Sequence, residues 1–121
     1  MLTWDESEVI SCLEVVPEEG LPGHGVHHTF TVHRNGLRLE LHVRQYDGDV
    51  SVTVLRDGQD SPVFRHEILG CKGMRVVTEH GREYIEIAPP DPSYGRYDGY
   101  SPIPWGLRVF AKPEISVTTF T

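Results

Sequence analysis

Residues 26–44 read Val26-His27-His28-Thr29-Phe30-Thr31-Val32-His33-Arg34-Asn35-Gly36-Leu37-Arg38-Leu39-Glu40-Leu41-His42-Val43-Arg44, two alternating runs about an Asn-Gly pair. Alternation at period two marks strands with one buried face, and Asn-Gly tolerates the positive φ that a type I′ hairpin turn needs at both positions. A two-residue turn pairs Val32 with Leu39, Phe30 with Leu41 and His28 with Val43, all on one side of the ribbon. The other side carries His27, Thr29, Thr31, His33, Arg38, Glu40, His42 and Arg44. It is polar with an excess of bases, as expected of a sheet face left to solvent.

The pattern continues in both directions. Asp47-Gly48, read as a second two-residue turn, pairs Val43 with Val52 and Leu41 with Val54. The same apolar face then extends over a third strand, 49–56. A longer turn over 57–60 leads to a strand at 63–69, with Pro62 at its start, where a missing N–H is tolerated. A further hairpin spans 74–88 about His80-Gly81, placing Met74, Val76, Ile85 and Ile87 on one face. The last hairpin pairs 106–111 with 114–120 about Lys112-Pro113. Residues 7–16 carry two signals. Thr3 with Glu6 resembles a helix capping box, whereas Val9, Ser11, Leu13 and Val15 alternate and favour a strand, which is the expectation here. The sum is an all-β domain spanning residues 1–121, an antiparallel sandwich or flattened barrel of about 8–9 strands on a hairpin meander.

Charge is unevenly spread. The 121 residues hold 11 Lys and Arg against 18 Asp and Glu, a formal charge of -7. Six acids (Asp5, Glu6, Glu8, Glu14, Glu18, Glu19) fall in the first twenty residues, which contain no Lys or Arg. Beyond them the balance is almost neutral, and one expectation is that the acidic segment lies across the histidine- and arginine-bearing sheet face. The negative balance argues against a nucleic-acid partner, because phosphate contacts need clustered bases. No apolar run reaches the ~18–20 residues of a membrane span, and the first residues lack a signal-peptide layout. With Cys12 and Cys71 as the sole cysteines, a reduced, cytoplasmic setting is expected.

Residues 89–105 read Pro89-Pro90-Asp91-Pro92-Ser93-Tyr94-Gly95-Arg96-Tyr97-Asp98-Gly99-Tyr100-Ser101-Pro102-Ile103-Pro104-Trp105. Five prolines forbid a regular helix or a central strand, and a loop this long inside a small domain is usually functional or packed on itself. Its rings either fold back to close one end of the core or form a rigid recognition surface, since Tyr, Trp and Arg dominate binding energies. The candidate binding residues are therefore Tyr94, Arg96, Tyr97, Asp98, Tyr100 and Trp105.

Catalysis and metals have weaker signals. Among the seven histidines no His-x-His pair occurs, and His66-Glu67 lacks a second histidine at position 70. A site built on His24, His27 or His28 with a remote carboxylate is the metalloenzyme alternative; no metal and no cofactor are expected. Asp47, Asp49, Asp57 and Asp60 sit in turns, where turn chemistry accounts for them. Cys71 lies in a Gly-Cys-Lys-Gly turn with no base marked nearby. The expected function is a non-enzymatic, inhibitor- or adaptor-like module engaging a protein partner through the 94–105 loop or a sheet edge. The other class is a small-ligand or carbohydrate-binding β-domain stacking its ligand on Tyr97, Tyr100 and Trp105.

Overall fold

The Asn35-Gly36 turn forms as the alternation requires, with φ of 52° and 78° at its two central residues. It joins β2 (His27–Arg34) to β3 (Leu37–Arg44) with Val32 opposite Leu39, Phe30 opposite Leu41 and His28 opposite Val43. This is a computed structural model, describing residues 1–20, 27–91 and 95–121. His24, Val26 and Tyr94 lie outside the described residues.

The next strand, β4 (Asp49–Arg56), pairs in a register two residues from the predicted one: Leu41 meets Val52 and Val43 meets Val50. Asp47-Gly48 is the second half of a four-residue turn closed by Gly48 N–H donating to the Arg44 carbonyl at 2.8 Å. A slip of two preserves side-chain parity, so the apolar face survives the correction. The meander ends in β5 (Phe64–Ile68) at one edge, while β1 (Glu18–Glu19) pairs with β2 at the other. The second sheet contains β6 (Gly73–Glu79), β7 (Arg82–Ala88), β8 (Gly106–Phe110) and β9 (Ser116–Phe120), in that order. Its first hairpin has the predicted pairing, Glu79 opposite Arg82 about His80-Gly81. The architecture is an all-β sandwich of five- and four-stranded antiparallel sheets. Its core joins Phe30, Leu39, Leu41, Val43, Val50 and Val52 of the first sheet to Met74, Ile85, Ile87, Leu107 and Val109 of the second.

The predicted strand over 7–16 is instead a helix, α1 (Glu6–Leu13). Asp5 caps it, its Oδ1 accepting from the N–H groups of Ser7 at 3.0 Å and Glu8 at 3.4 Å, and Glu14 ends it in the left-handed region with φ 60°. Val9, Cys12 and Leu13 bury the helical stripe i, i+3, i+4 in the sandwich core. That stripe overrides the shorter-range alternation because burying it satisfies the helix's apolar side and its cap together. Thr3, which resembled a cap, makes a parallel bridge to Gly73, its N–H donating to the Lys72 carbonyl and its carbonyl accepting from Met74.

The acidic segment therefore does not lie across the polar face of the first sheet. Its helix packs against β6, β7 and the core, Glu14 pairs with Lys112 Nζ at 2.7 Å, and Glu18 and Glu19 form the edge strand. No helix among the described residues is long and apolar enough to cross a membrane.

Candidate functional site

The proline-rich connection between β7 and β8 is tied down at several points. Pro89 is buried, and the Trp105 indole N–H donates to the Asp91 carboxylate, with Trp105 as a residue 38% exposed. Tyr97 points inward. Its ring occupies the space above Gly73 where a side chain would stand, a Cβ there lying 2.4 Å from Tyr97 Cε1. Burial first, and then the charge of Glu86, pushes its phenol up to about 12.

Asp98 organises the tip. Its Oδ1 accepts from the N–H groups of Tyr100 and Ser101, both at 2.8 Å, and its Oδ2 accepts from Ser101 Oγ at 2.7 Å. Gly99 takes φ 81°, a conformation that glycine adopts freely. The consequence is that Tyr100 stands 84% exposed on a backbone held from both sides. The second support is Arg75 on β6, whose Nη1 donates to the Tyr100 carbonyl. Arg75 is itself held by Glu86 on β7, Nε to Oε1 at 2.8 Å and Nη2 to Oε2 at 3.5 Å. The Glu86 hydrogen bond raises the Arg75 pKa above its already high ordinary value.

Between this loop and the start of α1 lies a cleft of about 420 Å³, lined by Trp4, Asp5, Glu6, Glu8, Arg75, Asp98 and Tyr100 among others. Four acidic residues and one arginine, itself paired with Glu86, are among its lining. Within the loop itself the hollow formed by Arg96, Tyr97, Asp98 and residues 101–104 measures only about 50 Å³. Of the predicted site residues, the structure brings Asp98 and Tyr100 to the cleft, turns Tyr97 inward, bonds Trp105 to Asp91 and leaves Arg96 exposed. Sequence reasoning missed Arg75, Glu86 and the Glu6–Glu8 rim. The first two were legible in the hairpin register, which places Arg75 directly opposite Glu86.

The hydrogen bonds to Asp98, the Ser101 N–H and hydroxyl before the Tyr100 N–H, hold its carboxyl at about 2, below the ordinary 3.8. A depressed carboxyl stabilises the folded tip above its ordinary pKa, and that contribution is lost as pH falls through the folded value. The Tyr100 and Ser101 amide resonances are therefore expected to hold their positions on acidification to about pH 3 and to move only near pH 2. Movement with a midpoint near the ordinary value of 3.8, followed by NMR, would contradict this anchoring.

The chemistry elsewhere is engaged structurally. Arg44 Nε donates to His27 Nε2 at 2.8 Å, His42 Nδ1 lies 3.2 Å from Thr29 Oγ1, and His33 Nδ1 lies 3.2 Å from Asp57 Oδ1. Buried His28 meets the Trp4 ring edge-on and lies 3.7 Å from Glu6. Among the described residues no group of three or more His, Cys, Asp and Glu is placed to hold a metal ion. Both cysteines are free and buried; burial is the main force pushing each thiol up to about 12, which holds it in the unreactive protonated form.

No protein-family model matches this chain, and no curated protein matches it in sequence. In three dimensions it is similar to a chain of the contact-dependent growth inhibition toxin–immunity protein complex from Klebsiella pneumoniae 342, with a TM-score of 0.76. The likeness covers 98% of this chain and 95% of the other at 14% sequence identity, so what the two share is the fold.

Proposed function

We propose that the chain is a non-catalytic protein-binding module of immunity or inhibitor type, acting in the cytoplasm on a basic protein partner. The observation that carries this reading is Tyr100, held exposed by Asp98 and Arg75 at the rim of the acidic cleft. A pre-ordered aromatic loses little freedom on binding, and nearby carboxylates speed encounter with a basic surface. The same architecture occurs in a complex named for a toxin and its immunity protein, which supports a partner that is itself a protein. Unreactive thiols and hydrogen-bonded histidines favour binding over chemistry on the chain itself. A sugar stacked on Tyr97, Tyr100 and Trp105 together is less well supported, since Tyr97 packs over Gly73 and Trp105 bonds to Asp91 while Tyr100 alone of the three lines the cleft.

The test is affinity capture from the native host, followed by titration of the captured protein against variants. A basic partner whose binding weakens with salt is expected, with Tyr100→Ala costing roughly 10- to 100-fold in affinity. Glu6→Lys with Glu8→Lys should mainly slow association. A partner bound equally by the wild type and both variants would remove this surface from the reading.

A further inference from the structure

The five-stranded sheet ends in β5, which among the described residues pairs with β4 on one side only. Uncovered edges template further strands, and proteins commonly blunt them with charge, bulges or short length. Of the other edges, β1 has two residues and β6 takes the Thr3 bridge; β9 is a second five-residue edge, but it carries no charged side chains that would fix a register between two copies. β5 differs in what it presents.

Residues 63–69 read Val63-Phe64-Arg65-His66-Glu67-Ile68-Leu69. Inverted about His66, this order is complementary to itself. In an antiparallel pairing of two copies centred on His66, Arg65 stands opposite Glu67 and Glu67 opposite Arg65. On the other face Phe64 stands opposite Ile68, and at the ends Val63 meets Leu69. Arg65 and Glu67 are exposed on the outer face, 3.5 Å apart within one chain. Val63 and Leu69 are 54% and 60% exposed, two of the chain's few large apolar side chains left in water. Cross-strand pairs of opposite charge and of apolar side chains are what stabilises an antiparallel ladder. The alternation of free N–H and C=O groups along an edge allows a two-fold axis at His66 in either parity.

We infer that β5 is a self-association edge: two copies of this chain pair β5 to β5 about a two-fold axis at His66, joining their five-stranded sheets into one. The pairing is isologous and closes on itself, so it ends at the dimer. It uses a different surface from the Tyr100 loop and stands whether or not that loop binds a partner.

Charge swaps test the register on the intact chain. Sedimentation of the wild type should show a weak, concentration-dependent dimer and nothing larger. Arg65→Glu sets Glu opposite Glu at two places, and Glu67→Arg sets Arg opposite Arg; each should weaken self-association roughly tenfold or more. Mixing the two variants, or combining both changes in one chain, restores opposite charges across the strand and should restore the dimer. Under mild oxidation His66→Cys should give a covalent dimer, whereas Arg65→Cys should not, its diagonal neighbour being ~7–8 Å away. All these positions are exposed, so folding should be spared. A chain monomeric to roughly 1 mM, a dimer indifferent to the single swaps, or no recovery on mixing would overturn the inference.

Discussion

Replacing Glu86 by alanine is expected to destabilise the fold by about 3 kcal/mol, a fall in Tm of roughly 10–15 °C for a chain of this size. The Glu86 side chain is 5% exposed and that of Arg75 17% exposed, so removing the carboxylate strands a guanidinium on the outer face of the second sheet with no access to full hydration. That stranded charge, rather than the worth of the pair itself, sets the magnitude. The double change Arg75→Met, Glu86→Leu should therefore recover most of the loss, because a well-packed apolar pair avoids desolvating two ions. Loop geometry should not recover with it. Arg75 also donates to the Tyr100 carbonyl, and methionine supplies no donor. Thermal melts with amide exchange at residues 98–101 separate the two effects. If Glu86→Ala melts within a degree or two of wild type, the pair is solvated and its place in the site is overstated.

That coupling marks how far the sequence could be read. Asn35-Gly36 and His80-Gly81 prescribe their registers because a two-residue turn leaves the strands no freedom to slip, and both registers are as predicted. Asp47-Gly48 carries the same chemistry but closes a four-residue turn, where Leu2 N–H donates to the Gln45 carbonyl and Cys71 N–H to the Gly48 carbonyl. Those contacts come from residues far along the chain, which local turn propensity does not weigh. In the same way Val9, Ser11 and Leu13 alternate, yet Val9, Cys12 and Leu13 form the stripe that is buried. Both patterns coexist in eight residues, and only the cap at Asp5 and the space beside β6 and β7 decide between them. The candidate loop was legible as a loop and Asp98 and Tyr100 as its polar and aromatic features. That Tyr97 turns inward depends on Gly73, and the exposure of Tyr100 depends on Arg75, both on a strand more than twenty residues away.

Gly73→Ala should be the most damaging glycine-to-alanine exchange among the described residues. The added Cβ would stand 2.3 Å from the Thr3 carbonyl oxygen and 2.4 Å from Tyr97 Cε1. One obstacle is backbone already engaged in the bridge between Thr3 and β6; the other is a ring packed over the strand. Neither is the loose end of a flexible side chain, so relief requires moving the N-terminal segment, the loop, or both. Overpacking of this kind costs about 1–3 kcal/mol, and the upper end is expected because two elements must yield together. The direction of yielding has a signature. Displacing Tyr97 would expose its phenol, so its titration, followed by ultraviolet absorbance, should fall from about 12 towards the ordinary 10.0. Displacing Thr3 instead would break the hydrogen bonds to Lys72 and Met74 and leave the phenol buried. A second change, Tyr97→Ala, makes the room that Gly73→Ala needs on the loop side alone. If it rescues the melt, the ring is the main obstacle; if it adds a further loss, the Thr3 backbone is. A Gly73→Ala variant that melts with the wild type and keeps its phenol titration would show that Tyr97 does not rest on Gly73, and the loop's hold on β6 would then fall to Arg75 alone.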